Sequence, residues 1–170
     1  YFSKISNEFS KMLSLISCKN IINGLGDIFN EQNKLINLEK LLYGSYMAGL
    51  AQSTTSVGII HAISHVISPK VNLGHGHLNT IILPHILKFY HEKNIDINAF
   101  AKAIGLKDIN ELISIINSFI SEKNIQSISS NDISIDADLI DEIKNDMCFK
   151  TSPISINDEE ITSILEQIID

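Results

Sequence analysis

Histidines are concentrated in one short part of this 170-residue sequence, where five of the six fall between positions 61 and 85. His61 and His65 are four positions apart, a spacing that places both on one face of a helix. His75 and His77 are separated by a single glycine and follow a predicted loop that could fold back beside that face. Since neutral imidazole is a good ligand for Zn²⁺ and Fe²⁺, the spacing indicates a site that holds a metal ion or moves a proton.

A single histidine in an apolar helix such as GIIHAISHVI would have a simpler interpretation. Buried polar groups are usually satisfied by an ordinary hydrogen bond, so His61 alone would suggest a core histidine bonded to a backbone carbonyl. Four histidines between positions 61 and 77 favour a functional site instead. The pattern excludes a metalloprotease helix, because Ala62 stands where that helix needs a glutamate base. The sequence also has no Gly-x-Ser-x-Gly nucleophile motif.

Composition excludes several classes of partner. Hydrophobic residues make up 44% and charged residues 19%, which is enough apolar side chain for a folded core. A formal net charge of −7 argues against nucleic acid or an anionic membrane as a partner. No apolar run approaches the roughly 20 residues of a membrane span. Two cysteines are too few for a disulfide framework, and free thiols fit a cytoplasmic protein.

Helical spacing of apolar residues dominates the chain, without alternating strands or an internal repeat. The segment Gly24–Phe29 has the look of a phosphate loop, but it lacks a third glycine and follows a helix, so we reject a dinucleotide motif there. The pattern therefore predicts an all-α fold. The predicted helices are 6–22, 38–52 after an Asn37 cap, 56–67 ended by Pro69, 77–92, 96–105, 108–119, 136–147, and a last helix opened by Asn157 and Glu160.

The stretch AGLAQSTTSVGIIHAISH, followed by NLGHGHLNTIILPH, resembles the signature of the iron-containing (type III) alcohol dehydrogenases. In that family A-G-M-A-x-x-x-x-x-x-G leads into H-A-x-x-H, and then into P-H-G-x-x-N-x-x-x-L-P-H. The segment DMCFKTSPISINDEEI also resembles the family's D-x-C-x-x-x-N-P-R-x-x-T-x-E-x-I ending. The matching positions of the central motif are Ala48, Gly49, Ala51, Gly58, His61, Ala62, His65, His75, Gly76, Asn79, Leu83, Pro84 and His85.

The resemblance implies a multi-helix bundle, the C-terminal domain of a dehydroquinate-synthase-like two-domain architecture. Residues 1–170 would form this helical metal-binding and catalytic domain, and the N-terminal dinucleotide-binding domain would lie outside the chain. The implied activity is that of an NAD- or NADP-dependent alcohol dehydrogenase with Fe²⁺, or Zn²⁺, in the cleft between the two domains. It implies a small alcohol or aldehyde substrate, a homodimer of the full-length enzyme and a cytoplasmic location.

The resemblance also implies roles for individual side chains. His61 and His75 match the last two of four metal ligands, and His65 matches a catalytic position beside the nicotinamide and the substrate. Cys148 matches a position that lines the substrate pocket, although a buried small apolar role is equally consistent. The other two ligands belong to a D-x-x-x-H motif followed by E-A-Y-x-S, whose end resembles residues 1–3. We therefore expect the chain to begin after those ligands and to be inactive alone.

Some positions depart from the family pattern. Gly74 replaces the usual proline, and His77 stands where a small apolar residue is common. We interpret His77 as a surface residue, and His85 and His91 as structural or solvated. One alternative is a non-catalytic metal-binding or interaction module with a self-contained zinc site, formed by His61, His65, His75 and His77. Another is a purely structural helical dimer module whose stability does not depend on metal.

Overall fold

The computed structural model describes residues 1–25 and 32–169 of the chain. In this part of the chain the only β-type pairing is an isolated bridge between Ile128 and Ile169, so the prediction of an all-α fold is confirmed. No helix within it is long and apolar enough to cross a membrane. The helices are α1 (Glu8–Leu25), α2 (Lys34–Thr55), α3 (Ile59–Val71), α4 (His75–Glu92), α5 (Ile97–Ala103), α6 (Ile109–Glu122), α7 (Ala137–Asn145) and α8 (Asp158–Ile168), with a short 3₁₀ helix (Phe149–Thr151) between α7 and α8.

Four helix starts in the second half of the chain lie where the sequence predicts them. The side chains of Asp96, Asp108 and Asp136 each accept hydrogen bonds from backbone N–H groups of the first turn. Asn157 and Glu160 form a reciprocal capping box at the start of α8. These caps satisfy amide donors that have no partner inside the helix, which is why short polar residues mark helix starts.

Two predictions near the first two helices are wrong. α1 continues through Gly24 to Leu25, so the segment resembling a phosphate loop begins inside a helix, and residues 26–31 lie outside the described part. Asn37 does not cap α2, since the helix begins at Lys34 and the Asn37 amide N–H already bonds to the Asn33 carbonyl. Asn37 is only 2% exposed, so this polar residue lies buried within α2 instead of capping it.

The boundaries around the histidines also differ from those predicted. Ser56 adopts a positive φ of 57° and ends α2, so α3 begins at Ile59 rather than at Ser56. Pro69 does not end α3, which continues to Val71 before a left-handed Asn72. The next helix, α4, begins at His75 rather than at His77. Likewise α7 ends at Asn145 rather than at Met147, because the backbone of Asp146 is extended.

The core lies around α3 and α4, which pack against each other and against α6, α7 and α8. Ile63 and Ile67 of α3 and Ile82 and Ile86 of α4 have no solvent exposure. The α1–α2 hairpin packs mainly on itself, and the Ser17 hydroxyl donates to the Gly44 carbonyl at 2.7 Å. Apolar packing therefore fixes α3 and α4, the two central helices that carry all six histidines.

Candidate metal and proton-transfer site

The fold brings three histidines together, two from α3 and one from the first residue of α4. The ring centroids of His61 and His75 are 5.0 Å apart, and those of His65 and His75 are 5.1 Å apart. The His61 and His65 rings are 6.1 Å apart, as expected for side chains one helical turn apart. The His65 ring stacks on the His75 ring with an interplanar angle of 19°. This contact places His65 beside the two predicted ligands.

Asn79 orients the two predicted ligands. Its side-chain nitrogen lies 3.0 Å from Nε2 of His75 and 3.4 Å from Nε2 of His61. The hydroxyl of Ser64, which is fully buried, donates to the Asn79 side-chain oxygen at 2.5 Å. With the amide oxygen bonded to Ser64, the NH₂ group faces the histidines, and each Nε2 that carries no proton accepts from it. Both imidazole lone pairs are thus directed at the same Asn79 nitrogen, and a Zn²⁺ or Fe²⁺ ion held by the two rings would replace these hydrogen bonds.

The electrostatic environment of His61 also suits a ligand. Burial, together with the neighbouring His75 and His65 rings, lowers the pKa of His61 to about 4. His61 is therefore neutral at physiological pH. Metal ions bind neutral imidazole, so no proton has to be displaced from this ring when a metal binds.

Asp146 joins the site from the end of α7, although it is 81 positions away from His65. One carboxylate oxygen, Oδ2, lies 3.0 Å from Nδ1 of His65, and the other, Oδ1, accepts the Cys148 N–H at 2.7 Å. Burial acts to raise the pKa of Asp146, but the hydrogen bonds from Cys148 and His65 outweigh it and leave the pKa below its ordinary value. Asp146 is thus ionised and held at both oxygens.

Sequence reasoning gave Asp146 no role, although this residue opens the D-x-C pattern quoted from the family's ending. The signal was present, but nothing in the sequence showed that this aspartate meets α3. Cys148 follows it and is 5% exposed, and burial raises the pKa of its thiol. One ligand atom from each of His65, Asp146 and Cys148 lies within 4.8 Å of the others, so these three also form a possible metal group.

The remaining histidines lie apart from this cluster. Nε2 of His77 is 2.7 Å from the Gln126 carbonyl, and the side chain is half-buried rather than freely exposed. His85 lies 3.5 Å from Gln167, and His91 is exposed in the last turn of α4. The self-contained four-histidine zinc site therefore lacks His77 in this structure.

The three clustered histidines line an open cleft between the end of α2, α3 and the segment after α7. Met147, which also lines the cleft, is 76% exposed. The cleft volume of about 610 Å³ is large enough for a small polar molecule. The other lining residues are Gln52, Ser53, Ser56, Val57 and Cys148.

We expect Asn79→Ala to destabilise the chain by about 1–3 kcal/mol, because the buried Ser64 hydroxyl loses its acceptor. Urea unfolding of Asn79→Ala, Ser64→Ala and the double variant measures this coupling. The double variant should cost clearly less than the sum of the single variants, since removing both partners leaves no unsatisfied group. Strictly additive costs would contradict the assigned bond.

Comparison with known proteins agrees with this architecture. The sequence pattern "Fe-containing alcohol dehydrogenase family, C-terminal" matches residues 1–169. The 4-hydroxybutyrate dehydrogenase of Clostridium kluyveri is 30% identical over 115 residues, which cover 66% of this chain and 29% of that protein. Alcohol dehydrogenase 4 of Saccharomyces cerevisiae is 23% identical over 182 residues, covering 98% of this chain and 46% of the yeast protein.

Solved structures show the same fold. The sulfoacetaldehyde reductase of Bifidobacterium kashiwanohense, solved with NAD⁺, superposes with a TM-score of 0.83 at 19% identity and covers 99% of this chain and 46% of that one. The iron-containing alcohol dehydrogenase of Thermococcus thioreducens gives a TM-score of 0.79 at 18% identity, covering 98% and 46%. The chain spans less than half the length of these relatives. It belongs to the Fe-containing alcohol dehydrogenase family and has the fold of that family's C-terminal region.

Proposed function

We propose that this chain is the metal-binding helical domain of an NAD(P)-dependent alcohol dehydrogenase, which interconverts an alcohol and an aldehyde or ketone. The observation that carries the proposal is the convergence of Nε2 of His61 and Nε2 of His75 beside Asn79. Relatives named 4-hydroxybutyrate dehydrogenase, lactaldehyde reductase and NADPH-dependent butanol dehydrogenase support this reaction class. These names also favour a small alcohol or aldehyde as the substrate.

The donor set favours Fe²⁺ or Zn²⁺, since both accept imidazole nitrogen. His61 and His75 would hold the ion through the Nε2 atoms that face Asn79, and metal binding would displace the Asn79 amide from them. Once bound, a divalent metal acts as a Lewis acid on the substrate oxygen. Catalytic zinc sites usually have three protein ligands, so we propose that the remaining ligands come from outside residues 1–170.

His65 occupies a different position from the two ligands. Its Nδ1 is already engaged by Asp146, and its ring lines the open cleft. We assign it to the reacting side of the site, in contact with the nicotinamide and the substrate. In this role it would accept or return the hydroxyl proton, and a bound nicotinamide would supply the hydride chemistry.

This helical chain covers 46% of a family structure solved with NAD⁺, which supports a cofactor site that depends on another domain. We propose that residues 1–170 form one domain of a two-domain enzyme, with the cofactor bound mainly by an N-terminal α/β domain. Assembly as a homodimer in the cytoplasm fits this proposal, and the chain alone should be inactive.

A chimera tests this function. Residues 1–170 fused behind the N-terminal half of a solved family member, loaded with Fe²⁺ or Zn²⁺, should reduce NAD⁺ or NADP⁺ in the presence of small primary alcohols. The same chain without the fusion should show no turnover. His75→Ala in the chimera should abolish the rate, whereas the matched His77→Ala should retain it, because His77 bonds to Gln126 outside the cluster. Turnover by the unfused chain would contradict the proposal that a separate N-terminal domain binds the cofactor.

A non-catalytic metal-binding module is the second candidate, and the group formed by His65, Asp146 and Cys148 favours it. Such a site offers one nitrogen, one oxygen and one sulfur, a set that Zn²⁺ accepts. It predicts that the isolated chain binds Zn²⁺ after loss of His61 or His75, and that Cys148→Ser abolishes this binding. The alcohol dehydrogenase proposal predicts instead that loss of His61 or His75 removes Zn²⁺ binding and that Cys148→Ser retains it.

A further inference from the structure

The two oxygens of the Asp146 carboxylate have different partners. Oδ1 accepts the backbone N–H of Cys148 at 2.7 Å, and Oδ2 faces Nδ1 of His65 at 3.0 Å. Asp146 follows the last residue of α7, where its own N–H bonds to the carbonyls of Glu142 and Ile143. The carboxylate is therefore anchored through its backbone and through one oxygen, which leaves the other oxygen fixed in front of His65.

An ionised carboxylate can only accept hydrogen bonds. The bond to His65 therefore requires a proton on Nδ1, which leaves Nε2 of the neutral ring with a free lone pair. Within residues 1–25 and 32–169, Nε2 of His65 has no hydrogen-bond partner. The ring stacks on His75 and lines the cleft, and the side chain is 43% exposed.

We propose that Asp146 is a positioning residue that holds His65 as the Nδ1–H tautomer, so that His65 presents Nε2 to the cleft as a hydrogen-bond acceptor. The use of this acceptor, to take the hydroxyl proton of an alcohol, rests on the proposed function. The tautomer itself does not, since the carboxylate sets it through direct contact.

The asymmetry of the carboxylate gives a sharp expectation for Asp146→Asn. An asparagine has one acceptor oxygen, and the Cys148 N–H requires it at the Oδ1 position. The amide NH₂ then takes the place of Oδ2 and donates to Nδ1 of His65. The ring must move its proton to Nε2, so the variant presents a donor to the cleft where the native protein presents an acceptor.

Nitrogen NMR of the metal-free, ¹⁵N-histidine-labelled chain tests this at about pH 8, above the ordinary histidine pKa of about 6.5. The His65 signals are assigned as those missing from His65→Gln. In the native chain Nδ1 should resonate as a protonated nitrogen and Nε2 as an unprotonated one. In Asp146→Asn the pattern should reverse, with Nδ1 unprotonated and Nε2 protonated. The matched control is Asp141→Asn, which removes a charge from the preceding helix α7 without touching a histidine, and should leave the native pattern.

A native His65 found as the Nε2–H tautomer, or with both nitrogens protonated, would overturn the proposal. So would an unchanged tautomer in a folded Asp146→Asn variant. If that variant fails to fold, the His65 tautomer seen in the native spectrum decides the proposal on its own. The measurement needs neither metal nor cofactor, so its failure is distinguishable from failure of the alcohol dehydrogenase assignment, which the chimera tests separately. In that chimera Asp146→Asn should lower kcat more than it changes KM.

Discussion

Replacing His75 with alanine should remove most of the Zn²⁺ affinity of the chimera, in which the fused half supplies the remaining ligands. Loss of a partner that merely orients a ligand typically reduces metal affinity by about 10–100-fold, and loss of a direct ligand should exceed that. His61→Ala should have an effect of the same size, because Nε2 of His61 and Nε2 of His75 converge on the same place. Competition against a chromophoric chelator measures both affinities with the purified chimera.

His77→Ala provides the matched control for this titration. It removes an imidazole two positions from His75, but Nε2 of His77 bonds to the Gln126 carbonyl instead of joining the cluster. We expect its Zn²⁺ affinity to stay within about twofold of the native value, a difference of about 0.4 kcal/mol. An equal loss in His77→Ala would support the four-histidine zinc site. If Zn²⁺ binding is retained in His75→Ala but lost in Cys148→Ser, the metal site is instead the group formed by His65, Asp146 and Cys148.

The sequence was most informative where the relevant geometry is local. Four-residue spacing on a helix was enough to place His61 and His65 on one face, and their rings are 6.1 Å apart. The approach of His75 was also expected, because a short connection returns the chain to the same helix. Within this helix pair the spacing therefore predicted the approach of His61, His65 and His75, but it grouped His77 with them as well.

Asp146 illustrates the contact that could not be predicted. It lies 81 positions beyond His65, and it reaches that residue only because α7 packs against α3 through buried apolar residues. No local pattern encodes such a contact, since it depends on how several helices pack together. The same reason explains why the sequence placed Cys148 near the substrate pocket only through a family resemblance.

The errors in helix boundaries have a common physical origin. Local rules assign Pro69 to a helix end and Asn37 to a helix start, but tertiary burial outweighs both preferences. Asn37 is 2% exposed inside α2. Continuing α3 past Pro69 keeps Val71 packed against the core. Propensity is a weak signal compared with the burial of apolar surface, so boundaries were less predictable than the helices themselves.

The second large effect should come from the buried face of the helix that carries His61 and His65. Ile63 lies between them in sequence and points the other way, with no solvent exposure in the core of α3 and α4. Ile63→Ala should lower the free energy of unfolding by about 2–5 kcal/mol, through lost burial and the cavity left behind. The free energy of unfolding of a typical domain is only about 5–15 kcal/mol, so this single change would remove a large share of the stability.

Urea unfolding followed by circular dichroism measures this cost, and graded variants make it specific. Ile63→Val should cost about 0.5–1.5 kcal/mol, because it removes one methylene from the same place. Leu42→Ala is the control, since Leu42 is 72% exposed on α2, and its cost should stay within about 0.5 kcal/mol. Alanine is the better helix former, so any loss at Ile63 reports packing rather than helix propensity. A cost below about 1 kcal/mol for Ile63→Ala would mean that α3 is not held by this core, and that the histidine geometry depends on something else.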